Sequence, residues 1–162
     1  MKRFGLWILF GCLLLCGCAK DTALPQTTSF SSTVTITAND VSVTATLTRT
    51  ERGQLTLVCT APERLSGVTV ALSGETVRFS KGGLSREFPL ADVPKSAVFS
   101  ELCRVLDAAA QCTEPPQGGV LQGVCNAEPY TLTFDEKTGV LQSISVPNAD
   151  FSVVFSDFSP DL

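Results

Sequence analysis

The sequence predicts a mainly β domain of the α+β class: an antiparallel half-open β-barrel of about ten strands wrapped around one main α-helix. Two observations support this prediction. Apolar and polar residues alternate with period two over most of the chain after Thr28, in short runs separated by turn residues. One stretch, after Pro94, changes to helical spacing. Strands joined by tight turns form an antiparallel meander, and so many strands with one apolar face each curl around a single core.

The first two strands, residues 30–38 and 41–48, are predicted to form a hairpin with one apolar and one hydroxyl face. Asn39 and Asp40 are typical of the tight turn between them. Threonine fills much of the hydroxyl face, because it is β-branched and tolerates water. Further strands are predicted at residues 55–59, 68–72, 77–79, 84–90, 120–125, 130–134, 140–146 and 151–155.

A single long helix is predicted between Pro94 and Gln111. Proline suits the first turn of a helix. The apolar stripe consists of Val98, Phe99, Leu102, Val105, Leu106 and Ala109, and the polar side of Ser100, Glu101, Arg104 and Asp107. A helix with one apolar stripe needs an apolar surface, and we expect it to pack on the concave face of the sheet.

The N-terminal segment is typical of an export signal. Lys2 and Arg3 precede an uncharged stretch that ends at Lys20. This stretch is shorter than the roughly 20 apolar residues of a membrane span, and it suits the h-region of a signal peptide. A signal peptide that is cleaved without further modification and a short N-terminal anchor are the alternatives to the interpretation given next.

The four residues Leu15, Cys16, Gly17 and Cys18 resemble the lipobox of bacterial lipoproteins. The resemblance implies that a diacylglycerol is attached to the thiol of Cys18 and that cleavage makes Cys18 the first mature residue. Residues 1–17 are then a lipoprotein signal peptide, and residues 18–28 a flexible, lipid-anchored tether. We expect an exported protein that is anchored to the bacterial membrane, on the cell surface or on its periplasmic face.

Charge and composition exclude several functions. The chain has 12 basic and 16 acidic residues, and without the two basic residues of the leader its net charge is −6. That balance argues against nucleic acid as a partner and against electrostatic adhesion to anionic lipid. The chain has no histidine, so triads based on histidine are excluded and the commonest metal ligand is missing. We therefore predict a protein that is not an enzyme and has no metal or cofactor.

Four cysteines remain after the leader and the lipidation site: Cys59, Cys103, Cys112 and Cys125. In an exported chain they permit two disulfides with three possible connectivities. The alternative is that some of them are small buried hydrophobic residues.

The order of elements resembles the lipoprotein carrier and receptor superfamily (LolA/LolB-like). The chain opens with Ser29-Phe30-Ser31-Ser32-Thr33-Val34, continues with the threonine-rich hairpin and with Pro62-Glu63-Arg64-Leu65-Ser66-Gly67, and ends with the hairpin Leu132-Thr133-Phe134-Asp135-Glu136-Lys137-Thr138-Gly139. The resemblance covers most of residues 29–162. It implies an incomplete β-barrel with an apolar groove that can hold acyl chains.

The same resemblance implies a set of inward-facing groove residues. They are Val34, Ile36, Val43, Leu57, Val70, Phe79, Leu102, Leu106, Leu132 and Phe134. An ordinary filled core has the same sequence signature, so the groove and the filled core are both open at this stage. Two functions follow: a binding module for a lipid or another amphiphile, or a cell-envelope protein-interaction or regulatory subunit on the same scaffold.

Overall fold

The computed structural model describes residues 29–94 and 97–160. The predicted signal peptide, Cys18 and the tether lie outside these residues. Within the described ranges, no helix combines the length and the apolarity needed to cross a bilayer.

Within these residues the fold consists of ten strands and one α-helix. The strands are β1 (Phe30–Ala38), β2 (Val41–Glu51), β3 (Gln54–Ala61), β4 (Thr69–Ser73), β5 (Thr76–Lys81), β6 (Leu84–Pro89), β7 (Val120–Cys125), β8 (Glu128–Phe134), β9 (Leu141–Val146) and β10 (Phe151–Pro160). Helix α1 (Val98–Ala109) connects β6 to β7. The number of strands and the position of the helix agree with the prediction from the sequence.

All ten strands belong to one antiparallel sheet in the order β6-β5-β4-β3-β2-β1-β10-β9-β8-β7. The first six strands form one meander and the last four another. Pairing of β1 with β10, from Phe30 opposite Pro160 to Ala38 opposite Phe151, joins the two meanders. The strands β6 and β7 are the two edges of the sheet, so the sheet is not closed. The predicted fold class is confirmed.

A single core fills the concave side of the sheet. Alternate residues of β1, β2, β8 and β10 are buried, as the period-two pattern predicts. The inward residues of both meanders and the apolar stripe of α1 belong to one cluster. Leu102, Val105 and Leu106 are fully buried in it. The helix therefore contributes to the core instead of lying outside it.

The predicted polar side of α1 differs from the expectation. Ser100 is 6% exposed and Glu101 is 9% exposed, so this side is not a solvent-facing surface. Charged groups of this side are held in ion pairs: Glu101 with Arg104, and Asp107 with Arg49 of β2. Partnering of this kind makes the burial of charged side chains tolerable.

Candidate functional site

A cavity of about 580 Å³ lies against the side of α1 that carries Ser100, Cys103, Arg104 and Asp107. The residues that line it from elsewhere are Gly53, Leu72, Gly74, Glu75, Pro89, Leu90, Ala91, Val93 and Asn126. Leu72 lies on β4 and Pro89 ends β6, and the other residues come from the β2–β3 and β4–β5 turns, from the connection between β6 and α1, and from the β7–β8 turn. Both meanders therefore contribute to one cavity, as expected for a curled sheet whose two halves face each other.

Backbone hydrogen bonds fix the rim of this cavity. The N–H of Gly74 donates to the carbonyl of Gly53 (3.0 Å) and links the two turns. The N–H of Leu90 donates to the carbonyl of Glu75 (2.7 Å) and holds the β6–α1 connection beside the β4–β5 turn. Gly74 has a φ of +60°, a conformation that glycine adopts without strain. The position of the apolar connection thus follows from local turn geometry.

The cavity has two chemically different walls. Leu72 is buried, Leu90 and Val93 are half-buried, and together with Pro89 and Ala91 they supply an apolar wall. The opposite wall is α1, with its hydroxyl, thiol and charged groups. A ligand with an apolar body and a polar head could contact both walls at once. Ligand sites typically have volumes of about 300–1,000 Å³, and this cavity falls in that range.

An ion pair joins the helix wall to the sheet. Nη2 of Arg49 donates to Oδ1 of Asp107 at 2.7 Å. The Arg49 side chain is 0% exposed and that of Asp107 is 23% exposed. Asp107 lines the cavity, and Arg49 lies behind it in the core. The guanidinium of Arg49 is thus one hydrogen bond away from the cavity wall.

Cys103 also lines the cavity, and its side chain is buried. Burial raises the pKa of this thiol to about 11, and the nearby Asp107 carboxylate adds to the effect. Burial likewise raises the pKa of Cys59 and of Cys125. Thiolate is the nucleophilic form of cysteine, so these three side chains are poor nucleophiles at neutral pH. All four cysteines that the sequence singled out are free thiols in the structure.

The predicted groove residues lie beneath the sheet and the helix. Eight of them are buried in the core: Val34, Ile36, Leu57, Val70, Leu102, Leu106, Leu132 and Phe134. Val43 is half-buried against that core, and Phe79 is 37% exposed beside Phe88. The wall of the cavity described above is built from other residues. The sequence predicts an inward orientation for all ten positions. The eight buried residues and Val43 pack in or against the core, whereas Phe79 is exposed because it lies on β5 beside the edge strand β6.

Arg49, Leu90 and Val93 are not among the residues that the sequence predicts for the groove, but the sequence holds a signal for one of them. Arg49 follows Ala45 and Leu47 at period two on β2, so the same alternation that predicts buried apolar residues also places this arginine inside. Leu90 and Val93 lie in the connection between β6 and α1, where apolar and polar residues follow no regular spacing. Sequence periodicity therefore does not assign them to a cavity. Within residues 29–94 and 97–160, no group of three His, Cys, Asp or Glu side chains could hold a metal ion.

Comparison with known proteins gives similarity to solved structures. No protein-family model matches the sequence, and no curated protein matches it. The structure is similar to the crystal structure of a LolA superfamily protein from Nitrosomonas europaea, with a TM-score of 0.41 and 11% sequence identity. The match covers 84% of this chain and 88% of that chain. The order of elements in the sequence resembles the same superfamily.

Proposed function

We propose that this chain is an exported lipoprotein, anchored through Cys18, whose β-domain binds a lipid or another amphiphile without catalysing a reaction. The cavity beside α1 is the observation that carries the binding proposal. It offers an apolar wall at Leu72, Leu90 and Val93 and a polar wall on the helix. Burial of an acyl chain against the first wall and hydrogen bonding of its head group to the second account for both halves of the site.

The chemistry of the site supports binding without catalysis. The chain has no histidine to act as a general base near neutral pH. Burial raises the pKa of the Cys103 thiol, and Asp107 is engaged by Arg49. These groups are suited to holding a head group in place, and none of them is activated for attack on a ligand.

The anchor proposal rests on the N-terminal sequence. A basic start, a short apolar stretch and the Leu15-to-Cys18 box occur in the order that a lipoprotein signal requires. Two acyl chains give stable anchoring, since each buried methylene contributes about 0.8 kcal/mol. On a protein anchored to a membrane, a binding site for amphiphiles would lie close to the membrane lipids.

Native mass spectrometry of residues 29–162 tests the binding proposal. The described core lies within residues 30–158, so this fragment contains all of it. After incubation with a lipid extract, we expect an added mass on the protein. Leu90→Arg places a charged side chain in the cavity and should abolish the added mass. Leu84→Arg is the matched control, because Leu84 is 80% exposed and lies outside the cavity. Protein-alone mass throughout would contradict the proposal.

One observation favours the second candidate function, a protein-interaction subunit of the cell envelope. Strand β6 is an edge of the sheet, and residues 84–87 on it are exposed. Its free edge could pair with a strand from another protein. Crosslinking on intact cells distinguishes the two functions. A single recurrent protein partner, lost when Ser85→Pro removes a backbone N–H of β6 that points away from β5, would favour this candidate.

A further inference from the structure

The cavity and the start of β1 lie at the same end of the first six strands. Phe30 begins β1 and lies opposite Arg49, near the end of β2. The register continues from Arg49 across the sheet through directly opposed residues, which are Leu55, Leu72, Val77 and Phe88. The turns just beyond this row, and the connection after β6, supply Gly53, Gly74, Glu75 and Leu90 to the cavity. The chain therefore enters β1 at the end of the sheet that carries the cavity.

The predicted tether keeps this end close to the bilayer. From the lipidation site Cys18 to the start of the domain at Ser29 the chain has eleven residues, 18–28. A flexible chain of that length has an average end-to-end distance of about 17–20 Å. Strand β6, whose last residue lines the cavity, is itself about 17–20 Å long. The far end of this strand thus lies about one tether length beyond the cavity, so the tether favours the cavity end as the one nearer to the bilayer.

The surface beside the cavity suits contact with lipid without electrostatic attraction. In the connection after β6, Pro89 and Ala91 are exposed and Leu90 is half-buried. Asp92 and Glu75 are exposed and acidic, so this surface does not attract anionic head groups. Proximity through the tether and apolar contact are therefore the two terms that favour this surface.

The opposite end of β6 carries a competing surface. Leu84 is 80% exposed and Phe79 is 37% exposed. They border a shallow pocket of about 260 Å³, which is also lined by Val68, Lys81 and Arg86. Apolar side chains with basic neighbours suit a lipid surface as well. To bring this end to the bilayer, however, the tether has to run back along the strands and extend beyond its average length.

We propose that the cavity end of the first six strands faces the bilayer that carries the anchor, and that the connection after β6 is the surface next to the membrane. This inference rests on the proposed function and deepens it, because lipids of that bilayer are then the amphiphiles next to the cavity. The surface at Leu84 faces away from the membrane.

Energy transfer from a single tryptophan to labelled lipid tests this orientation. The one tryptophan of the sequence is Trp7, so the chain from Cys18 onward has none. Ala91→Trp and Leu84→Trp place the probe at exposed positions near the two ends of β6. The acylated protein is reconstituted in vesicles of phosphatidylethanolamine and phosphatidylglycerol that contain dansyl-labelled phosphatidylethanolamine. Transfer falls steeply with distance, and over the length of β6 we expect it to be at least about twofold higher from Ala91→Trp.

A second pair of variants guards against a local effect of either substitution. Glu75→Trp lies on the β4–β5 turn at the cavity end, and Val41→Trp lies at the opposite end, beside the β1–β2 turn. Both positions are exposed. We expect higher transfer from Glu75→Trp. Phosphatidylcholine in place of phosphatidylglycerol should leave both ratios unchanged, because the contact does not depend on the charge of the lipid.

The outcomes separate the inference from the proposed function. Equal or reversed transfer within either pair would overturn the inference and leave the anchor and amphiphile binding in place. Failure of the wild-type chain to float with the vesicles would overturn the anchor proposal, and the inference with it.

Discussion

Tyr130 is the single tyrosine of the chain, and its hydroxyl is difficult to ionise in the folded protein. Burial raises its pKa to about 12, and the Cys112 thiol, 3.9 Å from the hydroxyl, adds to the shift. The stability associated with this group is therefore complete below the ordinary pKa of about 10 and is lost as the pH rises from there through about 12.

We expect the near-ultraviolet absorbance of tyrosinate in residues 29–162 to appear only near pH 12, together with unfolding. In denaturant, the same signal should appear near pH 10, the ordinary range of tyrosine. A native protein that ionises near pH 10 would show that the hydroxyl is accessible to water.

Gly123 lies opposite Tyr130 on the neighbouring strand, and the tyrosine ring covers it. A Cβ at this position would overlap the ring and the hydroxyl of Tyr130. We expect Gly123→Ala to lower the free energy of unfolding by about 1–3 kcal/mol, the usual cost of overpacking. Urea denaturation measures the effect, and Val124→Ala, on the exposed face of the same strand, is the control.

The cause can be checked with a smaller partner. Gly123→Ala should cost less when Tyr130 is replaced by leucine, because the space above the glycine is then free. An equal cost in both backgrounds would mean that the overlap with Tyr130 is not the reason.

At the residue scale, the sequence predicts burial well where apolar residues recur with the period of a strand or a helix. Val34, Leu47 and Leu132 are fully buried because successive side chains of a strand point to opposite faces. Arg49 follows the same rule, although its charge argues for the surface. Leu90 and Val93 line the cavity because the connection between β6 and α1 passes beside it. A connection has no regular alternation of apolar and polar residues from which this could be predicted.

The ion pair of Arg49 and Asp107 joins β2 of the sheet to helix α1. Its two halves differ in burial, since Arg49 is 0% exposed and Asp107 is 23% exposed. Removing one partner of a buried pair costs about 3–5 kcal/mol, because the remaining charge is left without compensation. We expect Asp107→Leu to be the more destabilising single change, because it leaves the fully buried guanidinium of Arg49 without an anionic partner. Arg49→Met leaves the Asp107 carboxylate, which water can reach.

Combining both changes should recover most of the loss, because apolar replacements of a buried pair are often neutral or stabilising. A double-mutant cycle with urea denaturation provides the measurement. Additive losses in the double variant would show that the two side chains do not depend on each other.

At the element scale, the helix was predictable and its surroundings were not. The apolar stripe gives its position, and the structure has it at Val98–Ala109, so Pro94 precedes the helix and does not lie in its first turn. Burial of Ser100 and Glu101 depends on packing against elements that are distant in sequence. The same limit applies to the pairing of β1 with β10, because turn residues identify neighbouring strands and say nothing about the first and last ones.

At the scale of the whole molecule, the anchor proposal makes membrane attachment depend on Cys18, which lies outside the described residues. We expect Cys18→Ala in the full-length chain to abolish metabolic labelling with radioactive palmitate and to leave the precursor uncleaved. Cys16→Ala is the matched control, since Cys16 belongs to the leader and alanine is acceptable at that position of the box. Labelling that persists without Cys18 would contradict the anchor proposal.

The overall architecture followed from the sequence to a large extent, while the cavity did not. Ten strands with one apolar face each and one amphipathic helix leave few arrangements other than a curled sheet around the helix. A cavity, in contrast, arises where several turns and a connection fail to fill space. Gly53, Glu75 and Asn126 line it from three different turns, which only the folded chain brings together.

A crystal structure of residues 29–162 with a brominated long-chain fatty acid tests the central claim most directly. Anomalous scattering locates the bromine without ambiguity about the identity of the density. The account predicts a bromine position in the cavity between Leu72, Leu90 and α1. Bromine bound only elsewhere on the protein, with the cavity free of ligand, would contradict it.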